Sequence, residues 1–356
     1  MSKTSQSKKY ADPTTENSKI ESGKAENNRT EKNKTGKKEY LGTVCEIQRN
    51  SYNILVGNKT IHAKLKGNFF RENEELPVVG DNVTFLPNEN GDSLITSVCE
   101  RKSVLKRPYA ADHSMDNGKE QVMVANVDYV FIVSSLNDNY NFNRIARYVS
   151  MTLQGNAIPV VILTKADLCS NPGRYASEIE RLSDKVSVHC VSAMYGIGTE
   201  ELNKYLQPGK TIAILGSSGV GKSTLVNALV QEDVMKTSEI RESDSKGRHT
   251  TTHRQMIVLL NGARIIDTPG MRELGMCDMD QGIDDTFPDI AELESCCKFS
   301  NCRHETEPGC AIRVAIADGT LSRDRYELYR SLHEESRHVA KMKDISKWRK
   351  QLKKQR

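Results

Sequence analysis

Gly216-Ser217-Ser218-Gly219-Val220-Gly221-Lys222-Ser223-Thr224 fits G-x-x-x-x-G-K-[ST] and lies between an apolar run, Thr211–Leu215, and a helix-like run, Leu225–Val230. Chemistry on phosphates needs that pattern in that setting: glycines let the backbone wrap closely, so that its N–H groups and the helix N-terminus face phosphate oxygens. Lys222 then reaches the β/γ oxygens and Ser223 ligates Mg²⁺. A chance Gly-rich turn is the bland reading, and the full motif between strand and helix argues against it. The loop alone does not distinguish guanine from adenine.

Thr164-Lys165-Ala166-Asp167 closes another apolar run, Ile158–Leu163, and is similar to the base-reading motif N-K-x-D. A carboxylate only accepts, so Asp167 suits the ring N–H and exocyclic amino group that guanine presents side by side and adenine does not. Lys165 can lay its stem over the base. Thr164 stands where Asn is usual, which puts one supporting hydrogen bond in doubt and predicts weaker guanine binding. Ser192-Ala193 follows the next run, where a second base-contacting loop is expected. Asp267-Thr268-Pro269-Gly270 fits D-x-x-G, with Asp267 for the Mg²⁺ shell and the Gly270 N–H for the γ-phosphate. Between them, Gly247-Arg248-His249-Thr250-Thr251-Thr252 holds a switch threonine for Mg²⁺, and Thr251 is the favoured one. A water-orienting Gln would follow D-x-x-G, but that position is Met271, which cannot orient water. Either His249 or a group from a partner takes the task, or His249 is simply an exposed loop residue. With Lys222 and Thr251, it makes up the candidate catalytic set.

Asp167 precedes Lys222 by more than fifty residues, whereas GTPases ordinarily place the phosphate loop first. The order is circularly permuted, which a sheet tolerates because termini lie at the surface and often near one another. The chain then runs from Gly270 almost directly into a cysteine-rich segment. There Cys297-x₄-Cys302-x-His304-x₅-Cys310 offers three thiolates and one imidazole, a set suited to one closed, structural, tetrahedral Zn²⁺ site. Adjacent Cys296 leaves the choice of ligand open, and a run of reduced cysteines in a small core is the alternative. Scattered cysteines 45, 99, 169, 190 and 277 read as small buried apolar residues.

The elements that must position these groups fall into four stretches. Residues 1–38 hold ten Lys/Arg against five Asp/Glu and almost no large apolar residue, and are expected to be disordered. Residues 39–103 carry five short β-rich runs, Leu41–Gln48, Tyr52–Val56, Thr60–Leu65, Asn82–Leu86 and Ser93–Val98, split by turn residues. They predict an OB-like barrel, with a generic small β-domain as the alternative. Residues 101–118 read as a linker. Within 104–285, runs Asp128–Val133, Ile158–Leu163, Val186–Val191 and Thr211–Leu215 alternate with helical stretches around Asn143–Leu153, Tyr175–Leu182 and Glu200–Leu206, which predicts a doubly wound α/β sheet. Met256–Leu260 and Arg264–Ile266, joined through Asn261-Gly262-Ala263, predict an antiparallel pair at its edge. Residues 286–356 hold the Cys/His cluster and a charged helical tail.

The chain has 356 residues and a net charge of +4, with basic excess at its ends: residues 337–356 carry nine Lys/Arg against one Asp/Glu. Such ends are either solvated tails or contacts for RNA phosphates. No stretch approaches the ~18 apolar residues of a membrane span, and the N-terminus lacks a signal peptide's apolar centre. The expected location is the cytoplasm, without a membrane partner.

A β-barrel, a permuted nucleotide domain and a Cys-Cys-His-Cys segment, in that order, resemble the RsgA (YjeQ) family of small-ribosomal-subunit-dependent GTPases over about residues 40–356. The resemblance rests on Gly216–Thr224, Thr164–Asp167, Gly247–Thr252, Asp267–Gly270 and the four Cys/His positions. It implies GTP hydrolysis to GDP stimulated by the small subunit, late maturation of that subunit, and contact with its rRNA. Nothing in the sequence demands an oligomer. Two other readings stay open: a nucleotide-gated rRNA-binding scaffold with incidental hydrolysis, and a P-loop ATPase or small-molecule kinase, against which Asp167 and Asp267–Gly270 argue.

Overall fold

The computed structural model describes residues 38–48, 51–67, 69, 75–108, 120–230, 255–267 and 279–354. The expected disordered extension lies outside them, apart from Lys38.

Five strands form the N-terminal barrel: β1 (Tyr40–Ile47), β2 (Tyr52–Val56), β3 (Lys59–Leu65), β4 (Asn82–Leu86) and β5 (Ser93–Val98). They run in the order β1-β2-β3-β5-β4, and β4 pairs back onto β1 to close the ring; only β3 and β5 are parallel. Alternating side chains send Val44, Ile54, Ala63, Val83, Phe85 and Ile95 into a core of the barrel's own. This is the OB-like arrangement that the turn-punctuated sequence predicts.

The stretch expected as a linker instead begins a hairpin, β6 (Val104–Pro108) with β7 (Glu120–Ala125). Leu105 is fully buried beside Met123 and Val124. Basic residues and Pro108 conceal the strand in the sequence, because a two-stranded ribbon tolerates Pro at a strand end.

Six strands make the second sheet: β8 (Tyr129–Ser135), β9 (Ile158–Thr164), β10 (Ser187–Cys190), β11 (Thr211–Leu215), β12 (Gln255–Val258) and β13 (Arg264–Asp267). Their order is β10-β9-β8-β11-β13-β12, parallel except for the antiparallel edge strand β12, whose Gln255 pairs with Glu46 of β1 and so joins the barrel to the sheet. Both faces are covered, which is why the strands read as nearly continuous apolar runs. Val130, Ile132, Val161, Leu163 and Ala213 share one cluster with Ile145 and Val149 of α1 (Phe142–Gln154). Phe131, Val133, Val160, Ile162 and Ile214 share another with Leu202, Tyr205 and Leu225. Helices α2 (Pro172–Glu180) and α3 (Lys222–Val230) follow β9 and β11, while the helical stretch expected around Glu200–Leu206 is a 3₁₀ helix, Glu200–Lys204.

After the sheet come α4 (Asp280–Thr286), α5 (Pro288–Ser295), α6 (Ala311–Asp318) and α7 (Arg323–Lys354). Their buried residues Ile283, Phe287, Ile290, Ile312, Leu321, Tyr329 and Leu332 belong to the cluster on the α1 face of the sheet. The Gly282 N–H donates to the Gln154 side-chain carbonyl at 2.8 Å, and the hydroxyls of Ser150 and Thr286 meet at 2.9 Å. No described helix is long and apolar enough to cross a membrane.

Candidate nucleotide and metal sites

The parallel strands deliver their carboxyl ends to one edge of the sheet, the place where open α/β sheets bind ligands. Leu215 ends β11, residues 216–221 form the loop, and α3 starts at Lys222. Gly216 is required by close approach, since a Cβ there would sit 2.4 Å from the Val133 carbonyl oxygen. Gly221 has φ +89°, a conformation side-chain-bearing residues rarely adopt. Lys222 Nζ donates to the carbonyls of Gly216 (2.8 Å) and Ser217 (2.6 Å), so its ammonium lies over the loop.

Two neighbouring loops grip this one. Thr164, at the end of β9, is 3% exposed, and its hydroxyl donates to the Val220 carbonyl at 2.5 Å. The unusual residue of the base-reading motif is therefore a tie to the phosphate loop. From the β8–α1 connection, Asn139 Nδ2 donates to Ser217 Oγ at 3.3 Å and to the Ser218 carbonyl at 3.4 Å, while Arg144 holds Asn139 by its Oδ1 (3.2 Å) and its carbonyl. Sequence reasoning missed Asn139. A polar residue at the carboxyl end of a strand flanking the phosphate loop is the signal that could have found it.

Lys165 turns the chain with φ +57°, and Ala166–Leu168 form one 3₁₀ turn that leaves Asp167 exposed. The Ala166 N–H donates to the Val191 carbonyl at 3.1 Å, which fastens the base-reading turn to the loop holding Ser192 and Ala193. Ser192 is buried at 1% exposure, and its hydroxyl has no partner among the described residues. The backbone of Asp267 pairs beside Ile214 and Gln255, with β8 and β11 between its strand and β9. Gly270, Met271 and the whole of Gly247–Thr252, with His249 and Thr251, lie outside the described residues.

Cys297, Cys302, His304 and Cys310 come together, with one ligand atom of each within 4.8 Å of the others. Tetrahedral Zn–S bonds of about 2.3 Å place sulfurs about 3.8 Å apart. Cys297 and Cys310 Sγ are 3.9 Å apart, and His304 Nδ1 lies 3.6 and 3.3 Å from them. The donor set fits a tetrahedral cation, and Cys296 is left outside it at the surface. Desolvation, together with hydrogen bonds shared with Cys310 and Cys297 and opposed by the His304 backbone, pushes the Cys302 thiol up to about 11. A divalent cation reverses that preference, because it takes thiolates.

The ligands are held by their surroundings. His304 sits at φ +59°, and its other ring nitrogen, Nε2, lies 3.1 Å from Glu294 Oε1. The Nε2–H faces the carboxylate, which leaves the Nδ1 lone pair turned to the sulfurs. Glu294 Oε2 in turn accepts from the Tyr329 hydroxyl at 3.0 Å, and burial followed by the nearby carboxylates keeps that phenol protonated. Glu307 accepts from the backbone N–H groups of Arg303, Glu305 and Thr306, each at 3.0 Å, and its own amide and these hold its carboxyl down to about 2. Cys310 caps α6, its sulfur accepting from the Arg313 N–H at 3.5 Å. No sequence signal pointed to Glu294, which meets His304 only through the way α5 packs.

Residues 98–277 match the profile of the RsgA GTPase family. The chain belongs to that family. RsgA relatives include small ribosomal subunit biogenesis GTPase RsgA 2 of Listeria monocytogenes serotype 4b (strain F2365), 42% identical over 302 residues that cover 84% of each chain. Another is the small ribosomal subunit biogenesis GTPase RsgA of Methanosarcina acetivorans, 40% identical over 304 residues, 85% of this chain and 79% of that one. Among solved structures the chain is similar to YjeQ from Thermotoga maritima, with TM-score 0.63 and 28% identity over 84% of this chain and 98% of that one. It shares its fold with YloQ, a circularly permuted GTPase, at TM-score 0.59 and 23% identity over 84% and 95% of the two chains. An RsgA GTPase takes guanine nucleotide and Mg²⁺. The Cys₃His cluster is compatible with zinc.

Proposed function

We propose that this RsgA-family protein binds the small ribosomal subunit and assists its late maturation, hydrolysing GTP to GDP and phosphate under stimulation by that subunit. The observation that supports the reading is the contact between Thr164 and Val220: two motifs, far apart and in inverted order along the chain, meet as a base-reading motif and a phosphate loop would. Asp167 would read the guanine N1–H and amino group, with Lys165 over the base and the backbone of Ser192-Ala193 at its edge. The N–H groups of Gly216–Thr224 and Lys222 would hold the phosphates. Ser223 and Thr251, with Asp267 behind them, would complete the Mg²⁺ shell, and the Gly270 N–H would meet the γ-phosphate.

His249 would orient the attacking water, or a group from the ribosome would. The four Cys/His ligands would hold one structural Zn²⁺ in a C-terminal region spanning about 286–356, next to a nucleotide domain of about 104–285 and a barrel of about 39–103. The basic ends would neutralise rRNA phosphates, so association should weaken with salt, and the protein would act as a cytoplasmic monomer. The names of the relatives support the ribosomal part of this reading.

Phosphate release from GTP and ATP, with and without purified small subunits, tests it. GTP-selective release that climbs with subunits is the expected result; equal release from ATP, or indifference to subunits, sinks the guanine or the ribosomal half respectively. Met271 in the position of a water-orienting Gln favours a second reading, a nucleotide-gated rRNA-binding scaffold. Single- and multiple-turnover rates separate the two: a single-turnover rate that stays slow with subunits bound would favour the scaffold.

A further inference from the structure

The geometry points to Thr164 as a positioning residue that braces the phosphate loop and leaves the N7 edge of guanine unread. This rests on the guanine reading above. An Asn at this position has two N–H donors, enough to hold a loop carbonyl with one and face the acceptor edge of a purine with the other. A threonine has one hydroxyl proton.

Here that proton is committed. Thr164 is almost fully buried and donates to the Val220 carbonyl at 2.5 Å, with the Ser134 carbonyl farther off at 3.4 Å. The side chain is packed beneath the loop, its Oγ1 3.6 Å and its methyl 4.0 Å from where a Gly221 Cβ would be. The lone pairs left on the hydroxyl cannot serve N7, which is itself an acceptor. Base recognition by this motif therefore falls to Asp167 at the opposite, donor edge, and the tie between the loops is kept without the second contact an Asn would make.

Titrating GDP and 7-deaza-GDP, which lacks N7, into the full chain tests both halves. The native protein is expected to bind the two within about twofold. Thr164→Asn is expected to bind GDP roughly three- to tenfold tighter, the range of one net neutral hydrogen bond, and to lose that gain with 7-deaza-GDP. Thr164→Val, equal in shape but without the hydroxyl, should weaken both ligands by a similar factor, and Thr164→Ser, which keeps it, should restore native affinity. The inference is overturned if the native protein loses about tenfold or more with 7-deaza-GDP, if Thr164→Val binds as tightly as native, or if Thr164→Ser is as weak as Thr164→Val. Equal binding of ADP and GDP by the native chain overturns the guanine reading itself, an outcome separate from every ratio above.

Discussion

The phosphate loop and the Cys/His loop are both short, glycine-containing connections leading into a helix, yet one site is built of backbone and the other of side chains. At residues 216–221 the proposed binding groups are peptide N–H groups, and the sequence enters by permitting conformations: Gly216 must approach Val133, and Gly221 must reach φ +89°. At residues 297–310 the proposed binding groups are three sulfurs and one ring nitrogen, and the backbone enters by aiming them, with His304 left-handed and Cys310 capping α6. A backbone site should tolerate changes of side-chain chemistry but not added bulk, and a side-chain site the reverse. Substitutions of each kind put that contrast at risk.

The largest effect is expected at the metal. Cys310→Ser removes a buried donor that lies against both Cys297 and His304. Structural zinc contributes about 10–16 kcal/mol to folding isolated zinc-finger peptides. Here helices α4 to α7 also share a core with the sheet, so the loss should be local. Elemental analysis should find no bound zinc, hydrogen exchange should accelerate over about residues 297–318, and GDP affinity should stay within about twofold. A full complement of zinc in the variant would sink the assignment of Cys310, and loss of GDP binding would sink the claim that the two sites are built independently. Removal of the metal from the native protein by a chelator should reproduce the variant's exchange pattern.

In the phosphate loop the corresponding change is one methyl group. Gly216→Ala places a Cβ 2.4 Å from the Val133 carbonyl, a contact with backbone that no side-chain rotation relieves. Overpacking of this kind costs about 2 kcal/mol, which corresponds to roughly thirtyfold in GDP affinity. Ser218→Ala, which adds no bulk and keeps the Ser218 carbonyl that faces Asn139, should bind GDP within about twofold of native. A Gly216→Ala protein with native affinity, or a crippled Ser218→Ala protein, would reverse the contrast.

That contrast also explains what was legible in the sequence. The phosphate loop was readable because a backbone site leaves its mark as glycines at fixed spacing, and the metal cluster because a side-chain site leaves its ligands. Strands β2, β4, β5 and β11 appear with their expected bounds, since their apolar residues alternate or run unbroken between turn residues. β6 was hidden because Val104 and Leu105 give too little apolar signal against four neighbouring basic residues and a proline. The identity of Thr164 was readable but its role was not: a missing Asn looks like a lost contact until the fold places Val220 beside it. Asn139 and Glu294 act on the two sites from other elements, and nothing along the chain says which loops will meet.

Glu294 tests the side-chain site one layer out. Its carboxylate fixes the Nε2–H form of His304, so Glu294→Ala should lower zinc affinity by about tenfold, the smaller end of what such supporting partners contribute. Glu294→Gln still presents an oxygen to that N–H and should recover most of the loss. Competition with a chromogenic chelator reads both. If Ala and Gln behave alike, the carboxylate's charge, and not the tautomer it selects, is what matters; if neither weakens zinc, Glu294 plays no part in aiming the ring.

The smallest effect belongs to Asn139, the side-chain support of the backbone site. Its two bonds to the loop are long, 3.3 Å to Ser217 Oγ and 3.4 Å to the Ser218 carbonyl, and lie toward the solvent. Bonds this long are together worth about 1 kcal/mol or less, so Asn139→Ala should weaken GDP by roughly fivefold at most. Arg144→Ala, which leaves Asn139 in place but removes the guanidinium that orients it, should produce a smaller loss in the same direction. Since among the described residues Arg144 reaches the loop through Asn139, the double variant should be no weaker than Asn139→Ala alone. Additive losses would mean that Arg144 acts on the bound nucleotide by itself, and the loop would then have a cationic neighbour besides Lys222.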